Sequence, residues 1–147
     1  MKYFTINELT NSATAKRKGI DNRPSQDVTS ALTALVDNVL DPLRQAYGQP
    51  IVVTSGYRCP KLNKAVGGSS SSQHVKGEAA DIRCVSDSPK ENKVIFDLIR
   101  KLNLPFDQLI NEYNYDWIHV SFSRYKKRGQ VLTATKKNGR TIYTIIK

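Results

Sequence analysis

No stretch of the 147 residues approaches the run of about 20 apolar residues that a membrane-spanning helix needs. The first residues, MKYFTINELTNS, lack the apolar segment of a secretory signal, so the protein is expected to be made and first held in a cytoplasm. Cysteine is scarce: Cys59 and Cys84 form no CxxC pair and no recognisable zinc spacing, so two reduced structural thiols are the expectation, with a disulfide between them as the lesser alternative. The glycine-rich stretch Val66-Gly-Gly-Ser-Ser-Ser-Ser72 lacks the following Lys-Ser/Thr of a phosphate-binding loop and is expected to be a polar loop. Acidic residues are absent from Arg124 to the C-terminus, where eight of the 23 basic residues lie, so most of the net charge of +10 sits there. A basic end favours a polyanionic partner, whether nucleic acid, charged membrane or anionic cell wall, and charge alone does not choose among them.

What is present reads as one domain over residues 1–147, ending in a basic β-hairpin at about 124–147. Thr5-Ile-Asn-Glu8 is a capping box that opens a short helix. From Ser25, Val28, Leu32, Leu35, Val36, Val39 and Leu43 recur at helical spacing until Gly48 and Pro50. Ile51-Val-Val-Thr54 is a short buried strand delivering Ser55-Gly-Tyr-Arg58, and Glu78 to Arg83 is extended. Ser88-Pro-Lys-Glu91 caps a helix expected to bury Val94, Ile95, Leu98, Ile99 and Leu102. Gln108 to Glu112 and Trp117 to Phe122 read as strands joined by the turn Tyr113-Asn-Tyr-Asp116, and Asn138-Gly139 signals a type I′ hairpin. Helices lead and strands cluster late, which predicts an α+β fold with a mostly antiparallel sheet.

The chain has only two histidines, His74 at a loop exit and His119 in Trp-Ile-His-Val-Ser-Phe. With Asp81 they form a possible catalytic zinc set: two imidazoles and a carboxylate leave a net charge of +1 and a fourth position for water. The plainer reading is a surface histidine and a strand aspartate paired with an arginine. Alternation in the strand favours the metal, because Ile118, Val120 and Phe122 would enter the core while Trp117, His119 and Ser121 share the other face. A hydrolytic site also needs a base and a cation for a developing oxyanion. Asp116 and Arg58 are the candidates, with Glu112 as the alternative base. An unbroken strand would put Asp116 on the wrong face, so it must be redirected by its turn.

Ser55-Gly-Tyr-Arg58, Ser72-Gln-His-Val-Lys-Gly-Glu-Ala-Ala-Asp81 and Asp116-Trp-Ile-His119 resemble, in order, the three signature segments of the zinc D-Ala-D-Ala carboxypeptidase family. That family includes phage L-alanyl-D-glutamate endopeptidases and shares its fold with lysostaphin-type enzymes and hedgehog domains. The resemblance implies one zinc ion on His74, Asp81 and His119, Asp116 as general base, and Arg58 as the group that stabilises the substrate oxygen. It also implies Ser72 as a contact to the substrate's peptide or carboxylate. It points to hydrolysis of a peptidoglycan stem peptide by a monomeric enzyme of the short phage or prophage type. Such an enzyme, an endolysin, acts on the anionic wall after release from the cytoplasm, without inserting in a membrane. Two other classes stand beside it: a wall-binding module that keeps zinc without activity, and a basic nucleic-acid-binding protein suggested by Arg124-Tyr-Lys-Lys-Arg128, for which no recognised motif is present.

Overall fold

The computed structural model describes all 147 residues. It is α+β: helices precede and flank a six-stranded sheet in which every pairing but one is antiparallel. Helix α1 (Ile6–Thr10) begins with the expected capping box, Thr5 accepting from the Glu8 N–H and the Glu8 carboxylate from the Thr5 N–H. Helix α2 (Ala13–Lys18) ends on Gly19, whose φ of 65° closes the last turn. Helix α3 (Gln26–Leu35) runs without a break through a π-turn (Val36–Leu40) into α4 (Asp41–Tyr47). Pro42 accounts for the wide turn: it has no N–H to give the carbonyl of residue 38, and its ring needs room there. The apolar stripe survives the widening, and Leu32, Leu35, Val36, Val39, Leu40 and Leu43 are all fully buried.

Strand β1 (Ile51–Ser55) leads to α5 (Pro60–Ala65) and a 3₁₀ turn (Gln73–Lys76), followed by β2 (Ala79–Cys84) and α6 (Pro89–Lys101). Ser88 caps α6 through its hydroxyl, but the Glu91 carboxylate accepts from the Tyr47 hydroxyl at 2.8 Å and does not close the box. Two residues expected inside, Val94 and Leu102, are exposed, and Asn92 and Phe96 take the buried face with Ile95 and Ile99. Strands β3 (Gln108–Glu112), β4 (Trp117–Ser121), β5 (Gln130–Lys137) and β6 (Arg140–Ile145) complete the sheet in the order β1-β2-β4-β3-β5-β6. Asn138 and Gly139, with φ of 52° and 76°, make the two-residue turn between β5 and β6. Cys59 and Cys84 are free thiols.

The pleat gives the sheet two different faces. Ala80, Ile82, Ile118, Val120, Leu109 and Val131 face the helices and form the core with Phe96, Ile99 and the α3–α4 stripe. On the opposite face the register lines up Ser55, Asp81, His119, Ile110, Leu132 and Ile145 as one row across all six strands. That face carries no helix layer, and the site stands on it.

Candidate active site

Asp81 and His119 are direct cross-strand partners on β2 and β4. His74 reaches them from the 3₁₀ turn that precedes β2. The turn is held by Ser72, whose hydroxyl accepts from the His74 N–H at 3.2 Å, and by Gly77, whose φ is 73°. A side chain at Gly77 would lie 2.9 Å from Val28, so the turn needs glycine both for conformation and for close approach to α3. His74 is buried, and its Nδ1 lies 2.7 Å from the Gly56 carbonyl. A carbonyl only accepts, so Nδ1 carries the proton and Nε2 keeps its lone pair free.

That lone pair lies 3.4 Å from Asp81 Oδ1, and His119 Nδ1 lies 3.1 Å from the same oxygen. The two rings meet edge to face with centroids 5.1 Å apart. Both separations exceed those of charge-assisted hydrogen bonds, and they match the spacing of about 3.3 Å between donors bound tetrahedrally to zinc at about 2.0–2.1 Å. The three donor atoms lie within 4.8 Å of one another. Burial opposes the charge on Asp81, yet the adjacent imidazoles hold its carboxyl well below the usual carboxylate range. Lone pairs, charge and spacing therefore all fit a divalent, borderline-soft ion such as zinc.

The group opens on a cleft of roughly 810 Å³ whose walls include Arg58, Ser72, Gln108, Glu112, Trp117, Arg128 and Tyr143. Arg58 follows β1, and its backbone N–H donates to the His74 carbonyl at 3.1 Å. Its guanidinium is lowered by burial and raised by Asp81, and its buried Nε has no partner within the protein. Its terminal nitrogens make no hydrogen bond within the protein either, and on the cleft wall they, rather than the enclosed Nε, are the donors a bound ligand can meet.

Asp116 does not join them. It is exposed and off the cleft wall, and its backbone N–H donates to the Glu112 carbonyl at 3.0 Å. The turn is the cause. Tyr113, Asn114 and Tyr115 all have positive φ, from 54° to 64°, and this left-handed run turns the chain so that Asp116 lies outside. Asn111 and Asn92 hold the run by hydrogen bonds to the Tyr115 N–H and to the Tyr115 and Asp116 carbonyls. The carboxylate that reaches the cleft is Glu112, two residues along β3 from Ile110, the partner of His119. Burial pushes the Glu112 carboxyl up to about 7, with His119 opposing the rise and Asp81 adding to it.

A peptidase M15 family model matches residues 2–121. The chain belongs to the peptidase M15 family. No curated protein sequence matches it. Peptidase M15 enzymes are zinc metallopeptidases, and the grouped His74, Asp81 and His119 suit that chemistry. The M15 match ends at the end of β4, so Arg128 and Tyr143, which also line the cleft, come from a segment beyond it. Sequence reasoning did not find these two, because nothing local shows that β5 lies beside β3.

Proposed function

We propose that this M15 peptidase hydrolyses a peptide bond in the stem peptide of peptidoglycan, with His74, Asp81 and His119 holding one zinc ion. The observation that carries the reading is the convergence on one cleft of this ligand group, an ionisable carboxyl at Glu112 and an unsatisfied guanidinium at Arg58. When bound, zinc supplies Lewis acidity that polarises a carbonyl and activates water.

Glu112, on the cleft wall two residues from the partner of His119, takes a proton from the attacking water and returns it to the leaving amine. Arg58 donates to the carbonyl oxygen as it becomes negative. Ser72 spends its lone pair on the His74 N–H and keeps its own O–H to donate to the substrate backbone. His74 is kept in its metal-binding tautomer by Gly56. The base is thus Glu112 in place of Asp116.

Peptidoglycan as substrate rests on the ordered resemblance of the three segments and on the charge of +8 after Ser123, which suits an anionic wall. The phage or prophage endolysin role rests on the same resemblance.

The test is mass spectrometry of fragments released from purified peptidoglycan by the zinc-loaded protein, with chelator and His119→Ala as controls. Release that stops in both controls is expected, and the fragment masses name the bond. Bound zinc with no release from several wall chemistries would overturn the peptidase reading in favour of a wall-binding module.

A further inference from the structure

Asp107 is an acid at 1% exposure, just before β3, and a buried carboxylate persists only with full hydrogen bonding. Its partner comes from 21 residues away: the backbone N–H and Nε of Arg128 donate to Oδ1 at 3.0 and 2.8 Å, and Nη2 donates to Oδ2 at 2.8 Å. The Gln73 amide adds a bond to Oδ2 at 3.0 Å, tying the pair to the residue beside His74. The Asp107 carboxylate thus receives four donors, and the arginine is fixed in position and orientation.

A guanidinium has more than one donor edge. The Nε and Nη2 edge of Arg128 is spent on Asp107, whereas Nη1 and the outer hydrogen of Nη2 make no bond within the protein. The residue stands on the wall of the catalytic cleft, with about a third of its side chain exposed. Glu112 lies on one side of the His119–Ile110 pair along β3, and Asp107 with Arg128 lies on the other. The cleft therefore presents a base beyond one side of the metal group and a pre-oriented fork of N–H donors beyond the other.

We propose that Arg128, held by Asp107, is the cleft's anchor for a carboxylate of the substrate, displaced along the peptide from the bond that is cut. The inference rests on the peptidase reading above. A bidentate fork matches a carboxylate in geometry as well as charge, and fixing it beforehand lowers the cost of ordering it on binding. A stem peptide offers two such groups, the α-carboxylate of its γ-linked D-glutamate and the C-terminal carboxylate, and the experiment separates them.

Four synthetic stem pentapeptides serve as probes, carrying each of these carboxyls free or as the amide. Their affinities are measured by calorimetry on the zinc-loaded Glu112→Gln protein, so that binding is read without turnover. For one of the two positions the free acid should bind at least about tenfold more tightly than its amide, the scale of a charge-assisted bond lost. The preference should fall to within about twofold in the Asp107→Asn/Arg128→Gln double variant, which removes both charges and leaves no buried acid unpaired. Arg128→Lys keeps the charge without the fork and should retain only part of the preference. Equal affinity for acid and amide at both positions, a preference that survives the double variant, or no binding of any free acid would each overturn the assignment. Cleavage by the wild-type enzyme is scored separately, so peptides bound with Arg128-dependent preference but never cut would defeat the peptidase reading and leave the anchor standing.

Discussion

Glu112, the proposed base, shows how the sheet can place a carboxyl on the cleft wall at the expense of stability. Its carboxyl is buried and titrates at about 7 in the folded chain, against an ordinary 4.5. Below the ordinary value both folded and unfolded chains hold the proton, and stability is complete. As pH rises toward 7 the unfolded chain releases its proton and the folded one does not, so stability is lost across that window. Discounted for the water the group still meets, the loss is about 2 kcal/mol. Metal-free Glu112→Gln should therefore match the wild type in denaturant unfolding near about pH 4 and exceed it by about 2 kcal/mol near about pH 8.5. The same substitution should lower kcat by about 10²- to 10⁴-fold with zinc retained, the range for a lost general base. Asp116→Asn, on an exposed carboxylate screened by water, should change kcat by less than about threefold. A large loss in Asp116→Asn with an active Glu112→Gln would return the base to the position first read from the sequence.

At the scale of elements, the site depends on places where two pieces of backbone touch. Gly56, at the exit of β1, supplies the carbonyl that orients His74, and a Cβ there would sit 2.2 Å from the Leu9 carbonyl of α1. Gly56→Ala must push β1 and α1 apart and carry that carbonyl with them. Zinc affinity, measured by competition with a chromogenic chelator, should fall about 10- to 100-fold, as when the outer partner of a ligating histidine is disturbed. An unchanged affinity would mean that Gly56 only packs. Local structure of this kind was largely legible beforehand. The caps at Thr5 and Ser88, the Asn138-Gly139 turn and the alternation that turns His119 out of the core are all written within a few residues. That Asp116 would lie off the cleft wall was not legible, because it depends on the conformation of Tyr113-Asn-Tyr115, where two tyrosines accept positive φ. That conformation is held by Asn111 close by and also by Asn92, buried on α6 more than twenty residues away. Gly56 against Leu9 and Asp107 against Arg128 are likewise contacts between distant segments, and no local pattern announces them.

Over the whole molecule, the basic C-terminal segment is part of the sheet. Strand β5 lies parallel beside β3, the strand that carries Glu112, and β6 forms the outer edge. Val131 and Ala134 are buried to 1% exposure or less, and Arg128 neutralises the buried Asp107. A chain ending at Ser123 would contain the whole M15 match, all three candidate ligands, Glu112 and Arg58. It would also expose the full edge of β3, uncover the core beneath β5 and leave Asp107 without its cation. With Arg128 partly exposed, loss of this partner is worth about 1–3 kcal/mol, still a sizeable share of the roughly 5–15 kcal/mol that keeps a domain folded. The truncated chain should therefore show no cooperative thermal transition by circular dichroism and no zinc-dependent rise in Tm, whereas the full chain should show both. If the shorter chain melted cooperatively and gained stability from zinc, residues 124–147 would be an appendage carrying charge to the wall. The structure argues instead that this basic segment supplies strands the cleft-bearing sheet cannot do without.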